Sequence, residues 1–170
     1  YALAMMKEGT EDLGALELSA QEAKLGAAIK TRSTLDTSSV SLSALRENLD
    51  PSLALFADVV REPVFAPQEI ERKRKRWLAR ILQEKSEPRD VALRTLPPLL
   101  YGADHAYGIP FTGSGTEASI TSLTRDDLVN FHRRWIRPDA ATLIVVGDVD
   151  MPTLLPLLQK YFGNWKAPEG

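Results

Sequence analysis

The chain has 170 residues, 44% hydrophobic and 26% charged, with a formal net charge of −2 and no cysteine. That length suits one domain, or one unit of a larger protein, and is enough to bury a core. The charge balance argues against a strongly basic nucleic-acid binder, and the lack of cysteine excludes disulfides and thiolate metal sites. No apolar run approaches the ~20 residues a membrane span needs. The cysteine-free composition leans toward a periplasmic rather than a cytoplasmic protein. The chain starts at Tyr1 without a methionine, and the expectation is a fragment.

Residues 1–8 read as the tail of an apolar helix that Gly9 and Thr10 end. Residues 13–25 place apolar side chains at helical spacing and stop at Gly26. Residues 27–32 and 37–45 read as a hairpin turning near Leu35 and Asp36. In its second strand Val40, Leu42 and Ala44 alternate with Ser39, Ser41 and Ser43, the period of a half-buried strand. Asn48 or Asp50 is expected to cap a helix running to about Arg61, with Pro51 in its first turn and Leu53, Phe56, Ala57 and Val60 inward.

Residues 67–85 form the longest helical pattern. Pro67 suits a first turn, and Ile70, Trp77, Leu78, Ile81 and Leu82 make one apolar stripe. The basic run 72–76 wraps more than a full turn, so it cannot form a single face and reads as solvated surface. A short helix follows over 91–101, around Pro97 and Pro98. Residues 102–115 are a loop by composition, and 116–122 a capped helical turn. Thr124 and Asp127 make a capping-box variant before a helix to Trp135, with Phe131 and Trp135 expected in the core. Residues 142–147 (TLIVVG) read as a buried strand. A last helix spans 152–162, with Leu154, Leu155, Leu158 and Phe162 inward. The total is about seven helices and at least three strands. This predicts an α+β fold with helices packed on one face of a mainly antiparallel sheet.

Few residues could carry chemistry. The only histidines are His105 and His132, and their spacing makes no helix-borne metal pair. Ser114 lies between two glycines but follows no apolar strand, so a nucleophile turn is not supported. The 113–116 stretch could offer N–H groups to an anion, but a loop-to-helix cap explains it as well. His105, beside Asp104 and near Tyr107, reads as a loop residue that orients its turn. His132 reads as a boundary residue.

Three stretches together resemble a known family. They are Met5-Met-Lys-Glu-Gly-Thr10 before an Ala/Leu-rich helix, Leu25-Gly-Ala-Ala-Ile29 leading into the serine strand, and a long pattern over 101–148. That pattern includes Tyr101-Gly-x-x-His105-x-Tyr107-Gly108, Gly115-Thr-Glu-x-Ser-Ile120, Phe131-His-x-x-Trp-Ile-Arg-Pro138 and Val145-Val-Gly-Asp148. It is similar to the insulinase/pitrilysin-type zinc peptidases (family M16), whose motif is H-x-x-E-H. The resemblance implies an α/β unit whose N-terminal strands are missing here, so that residues 1–170 are one unit of a larger multi-unit protein.

Carried onto this sequence, the two histidine positions fall on Tyr1 and Met5. The general-base glutamate falls on Ala4, and the third ligand falls near Arg80 or Ile81, with Glu84 one turn out of register. None of these supplies the donors a catalytic zinc needs. The resemblance therefore implies no catalytic residue, no metal ligand and no cofactor in this segment, with zinc held by a companion unit. The expected role is that of a non-catalytic unit of a bacterial zinc metalloprotease. It would pack against an active half and shape a chamber for a peptide or unfolded polypeptide. Ser39, Ser41 and Ser43 would face the substrate, and His105 and Tyr107 would orient a loop. Two alternatives stand beside this: an active unit with unusual ligands drawn from His105, His132 and Glu84, and a purely structural scaffold subunit.

Overall fold

The computed structural model describes residues 1–167. Its elements are α1 (Ala2–Met5), α2 (Ala15–Leu25), β1 (Ala28–Ser33), β2 (Ser38–Ser43), α3 (Leu49–Arg61), α4 (Pro67–Glu84), α5 (Pro88–Tyr101), α6 (Glu117–Ser122), α7 (Arg125–Trp135) and α8 (Met151–Phe162). β1 and β2 pair antiparallel, with Ile29 opposite Leu42 and Thr31 opposite Val40. One face of this hairpin is buried and the helices pack against it, which gives the expected α+β arrangement. The core joins Leu3, Met5 and Met6 to Leu18, Ile29, Phe56, Val59, Val60, Phe65, Ile70 and Leu128.

Several boundaries follow from local chemistry. Gly26 ends α2 at φ 62°, and a Cβ there would stand 3.1 Å from the Leu45 side chain. Glycine is required on both counts. At α7 the box is reciprocal: the Asp127 N–H donates to Thr124 Oγ1 at 3.2 Å, and the Thr124 N–H donates to Asp127 Oδ2 at 2.8 Å. The cap expected for α3 is different. Asn48 donates its side-chain amide to the Leu25 carbonyl (2.9 Å), and Asp50 takes Lys160 and the Tyr161 hydroxyl. Pro51 sits at the third helical position, where a missing N–H still has no helical partner to lose.

Helix α4 is amphipathic as read, with Ile70 and Ile81 buried, but Leu82 is exposed. Its basic run is not simply solvated. Arg72 and Lys73 pair with Glu8, and Arg72 also reaches Glu69. Arg74 donates to the carbonyls of Ile120, Thr121 and Leu123, which closes the C-terminal end of α6. Only Lys75 and Arg76 match the solvated reading. Trp135 and Leu155 are exposed rather than core; Trp135 lies instead under Arg134, with the guanidinium 5.2 Å from the ring centroid.

The buried strand expected at 142–147 is not found. The segment pairs with no other strand among the described residues, and its apolar side chains stand in solvent. An apolar run shows that a segment is suited to burial. It does not supply the neighbours that do the burying.

Helix α5 tolerates prolines in its interior. Pro97 has no N–H, so it leaves the carbonyl of Leu93 without its helical partner. The loop N–H of Phe111 donates to that carbonyl at 2.8 Å, which ties the 102–115 loop to the helix.

Candidate functional site

Two regions could carry function: the crossing of α1 with α4, and the open face of the hairpin. At the crossing, the Tyr1 hydroxyl donates to the Ile70 carbonyl (2.8 Å). Its ring meets Trp77 edge-to-face at 5.3 Å, and the Arg80 guanidinium lies 5.5 Å from the Trp77 ring centroid. Burial pushes the Tyr1 phenol upward, so it stays protonated at neutral pH. Met5 is fully buried. Ala4 presents only a methyl group.

Past Arg80 the contacts continue into a buried polar network. Glu84 is 4% exposed. It accepts from Arg80 Nε at 3.0 Å, from Arg94 Nη1 at 2.9 Å and from Ser114 Oγ at 2.5 Å. Arg94 also donates to Ser114 Oγ (2.8 Å) and to the Gly115 carbonyl (2.9 Å). The Trp77 indole N–H donates to the Ser114 carbonyl at 2.8 Å. Burial alone would raise the Glu84 carboxyl, but hydrogen bonds from Ser114, Thr112, Arg94 and Arg80 outweigh it and hold the pKa below the usual range. Glu84 is thus an anion at neutral pH that locks the 112–115 loop onto α4 and α5. Ser114 spends its hydroxyl proton on that carboxylate, with no histidine among its partners. The N–H groups at the start of α6 are engaged as well: Thr116 caps it by accepting from the Ser119 N–H at 3.1 Å.

The residues at the positions that the resemblance implies for the metal do not fit zinc. Tyr1, Ala4, Met5 and Arg80 offer one phenol, one methyl, one buried thioether and one cation, where a zinc ion needs imidazole and carboxylate donors. Ile81, the other position considered for the third ligand, is an alkyl side chain buried in the core. The unusual-ligand set is not brought together either. No group of three His, Asp or Glu side chains with metal-binding geometry occurs among the described residues. His132 faces the Val60 carbonyl through Nε2 at 2.8 Å, so that nitrogen carries the proton. Burial lowers the His132 pKa and keeps the ring neutral. His105 uses Nδ1 to accept the Tyr107 N–H at 3.0 Å.

At the hairpin, Ser39, Ser41 and Ser43 stand exposed on β2, on the face opposite Val40 and Leu42. The antiparallel register places Arg32 beside Ser39 and Lys30 beside Ser41. The sequence reading missed these two cations, although β1 alternates Ile29 and Thr31 against Lys30 and Arg32 in the same period of two. The open face is therefore basic as well as hydroxylated. Beyond the turn, the Tyr107 hydroxyl donates to Asp36 Oδ1 at 2.6 Å, and that carboxylate raises the phenol pKa. His105 stacks on Tyr101 at 5.4 Å.

Comparison with known families places the chain. Residues 3–107 match the family model described as insulinase (peptidase family M16). The chain belongs to the M16 family. Residues 122–170 match the model described as the peptidase M16 inactive domain, so this M16 chain carries a segment of the inactive-domain type within a family of zinc proteases. Among relatives, an uncharacterized zinc protease of Mycobacterium leprae is 31% identical over 120 residues, covering 71% of this chain and 26% of that protein. The chain thus spans about a quarter of the length of that relative. A protease from Helicobacter pylori shares the fold with a TM-score of 0.86 at 23% identity, over 99% of this chain and 41% of that one. A peptidase M16 inactive domain from Pseudomonas fluorescens superposes with a TM-score of 0.72 at 29% identity, over 78% of this chain and 32% of that one.

Proposed function

We propose that this M16 chain is a non-catalytic unit of a larger zinc metalloprotease. In this reading it packs against a separate zinc-bearing unit and walls a chamber for an extended polypeptide. The observation that carries the reading is the chemistry at the four family positions. Tyr1, Ala4, Met5 and Arg80 lack the donors of a zinc centre, and the Trp77 ring contacts both Tyr1 and Arg80.

In the same reading the substrate side is the hairpin's open face, with Ser39, Ser41 and Ser43 offering hydroxyls to a peptide backbone. Lys30 and Arg32 favour peptides with carboxylate side chains. His105 and Tyr107 set the 102–111 loop against the hairpin turn at Asp36. An extended substrate can add to a free strand edge through backbone hydrogen bonds.

The test is made on the parent protein. His105→Ala, His132→Gln and Glu84→Gln are each expected to leave its zinc content unchanged by elemental analysis. Loss of one zinc equivalent in any of them overturns the non-catalytic reading. A photo-crosslinking residue placed at Ser41 is expected to capture substrate peptide, and absence of capture during active turnover removes the hairpin from the chamber wall.

A further inference from the structure

We infer that the open face of the hairpin selects extended peptides carrying two carboxylates two residues apart, one facing Lys30 and one facing Arg32. The inference rests on the reading of that face as a substrate wall, and it names the substrate class. The face is made of Ala28, Lys30 and Arg32 from β1, with Ser43, Ser41 and Ser39 opposite them in register. The other side carries Ile29, Val40 and Leu42, which pack on the core. None of the six open-face residues has an apolar side chain larger than a methyl group, so a helical layer would gain little by covering them. Serine and alanine are short enough for a ligand's backbone to come close, and the two cations are the only long side chains on the face.

Those cations have no internal counter-charge. Lys30 and Arg32 are exposed, and neither pairs with a carboxylate among the described residues. Within residues 28–43 the one carboxylate is Asp36, and it accepts from the Tyr107 hydroxyl at 2.6 Å. Other cations of the chain are spent internally: Lys7 on Glu22, Arg72 and Lys73 on Glu8, Arg80 and Arg94 on Glu84. Lys30 and Arg32 instead stand on one side of one strand, about 6.6 Å apart along it. Two like charges at that distance repel, and anions brought to them relieve the repulsion.

The spacing sets the ligand. An extended peptide alongside β1 repeats the same two-residue period, so its side chains at i and i+2 meet both cations together. Side chains at i and i+1 point to opposite sides, and only one of them reaches this face. Arg32 can take a carboxylate through two parallel N–H donors, and Lys30 takes one as a point charge. Each opposed pair on a strand surface contributes modestly, so two pairs give a preference of ~2- to 30-fold rather than an absolute requirement.

The test uses the parent protein with a photo-crosslinker replacing Ser43, which lies opposite Ala28 and away from the cations. It is offered four peptides of one length that differ only in a central Glu-x-Glu, Glu-Glu, Gln-x-Gln or Lys-x-Lys, and capture is quantified by mass spectrometry at low ionic strength. The expected result is that Glu-x-Glu is captured ~2- to 30-fold more than Gln-x-Gln. Glu-x-Glu should also exceed Glu-Glu, which has the same net charge, and Lys-x-Lys should be captured least. The double variant Lys30→Gln/Arg32→Gln should lower Glu-x-Glu to the level of Gln-x-Gln. Equal capture of Glu-x-Glu and Gln-x-Gln, or of Glu-x-Glu and Glu-Glu, overturns the inference and leaves the substrate-wall reading standing. So does a preference that survives in the double variant. Capture of no peptide at all, from Ser43 or from Ser41, removes the wall and the inference with it.

Discussion

Removing the Glu84 carboxylate gives the sharpest test of the buried network. In Glu84→Ala, Arg94 loses the carboxylate it pairs with, and its side chain is mostly buried. Breaking a buried ion pair from one side costs about 3–5 kcal/mol, because the remaining charge is left uncompensated. Arg94 keeps Ser114 Oγ and the Gly115 carbonyl, and the half-exposed Arg80 can turn to water. These contacts place the expected loss at the lower end, about 3 kcal/mol. Glu84→Gln keeps the volume and some of the hydrogen bonds, and about 1–2 kcal/mol is expected. Urea denaturation followed by tryptophan fluorescence and circular dichroism gives both values. The cycle of Glu84→Met, Arg94→Met and the double variant separates the pair from the packing: the double variant should be more stable than Glu84→Met alone.

The pH dependence has a definite sign. The folded-state pKa of Glu84 lies below the unfolded value of about 4.3. Its stabilisation is therefore fully present above that value and is lost as pH falls through the lower folded-state pKa. Glu84→Gln should flatten the acid limb of the stability curve. A loss below ~1 kcal/mol in Glu84→Ala, too small for any uncompensated buried charge, would refute the reasoning.

Two other outcomes follow from the same kind of contact. Arg74→Ala removes the donors that close α6, so amides in 117–123 should exchange faster and global stability should fall by about 1.5–3 kcal/mol, the range for hydrogen bonds from a charged donor. His132 is neutral when folded, with a pKa held down by burial. Its contribution is complete above the unfolded pKa of about 6.5 and declines as pH falls toward the folded value. Denaturation curves for His132→Gln should show less loss of stability as pH falls below about 6.5 than the parent sequence does.

Features that depend on near neighbours were legible in the sequence. The serine alternation placed β2, Thr124 and Asp127 announced α7, and Pro67 with its apolar stripe defined α4 to within a residue. The features that escaped involve partners far along the chain. Nothing near residues 72–76 says that Arg74 will meet three carbonyls more than forty positions later. Glu84 was visible only as a carboxylate out of register with the metal position, while Arg94 and Ser114, which make it a structural anion, come from two other elements. Leu82 and Trp135 kept helical spacing yet face solvent, because periodicity gives the direction of a face but not how far the covering layer extends. That Tyr1, Ala4, Met5 and Arg80 lack zinc donors was readable by residue type. The contacts of Trp77 with Tyr1 and Arg80 required coordinates.

The proline inside α5 has a consequence for redesigning this chain. A stabilisation campaign would normally replace Pro97 with alanine, the best helix former. Here that change would introduce an N–H within reach of the Leu93 carbonyl, the acceptor now taken by Phe111. Helix and loop would compete for one oxygen, and the improved helix would tend to release the loop. Residue 97 is better understood as a vacancy kept open for a distant tenant than as a flaw in a helix.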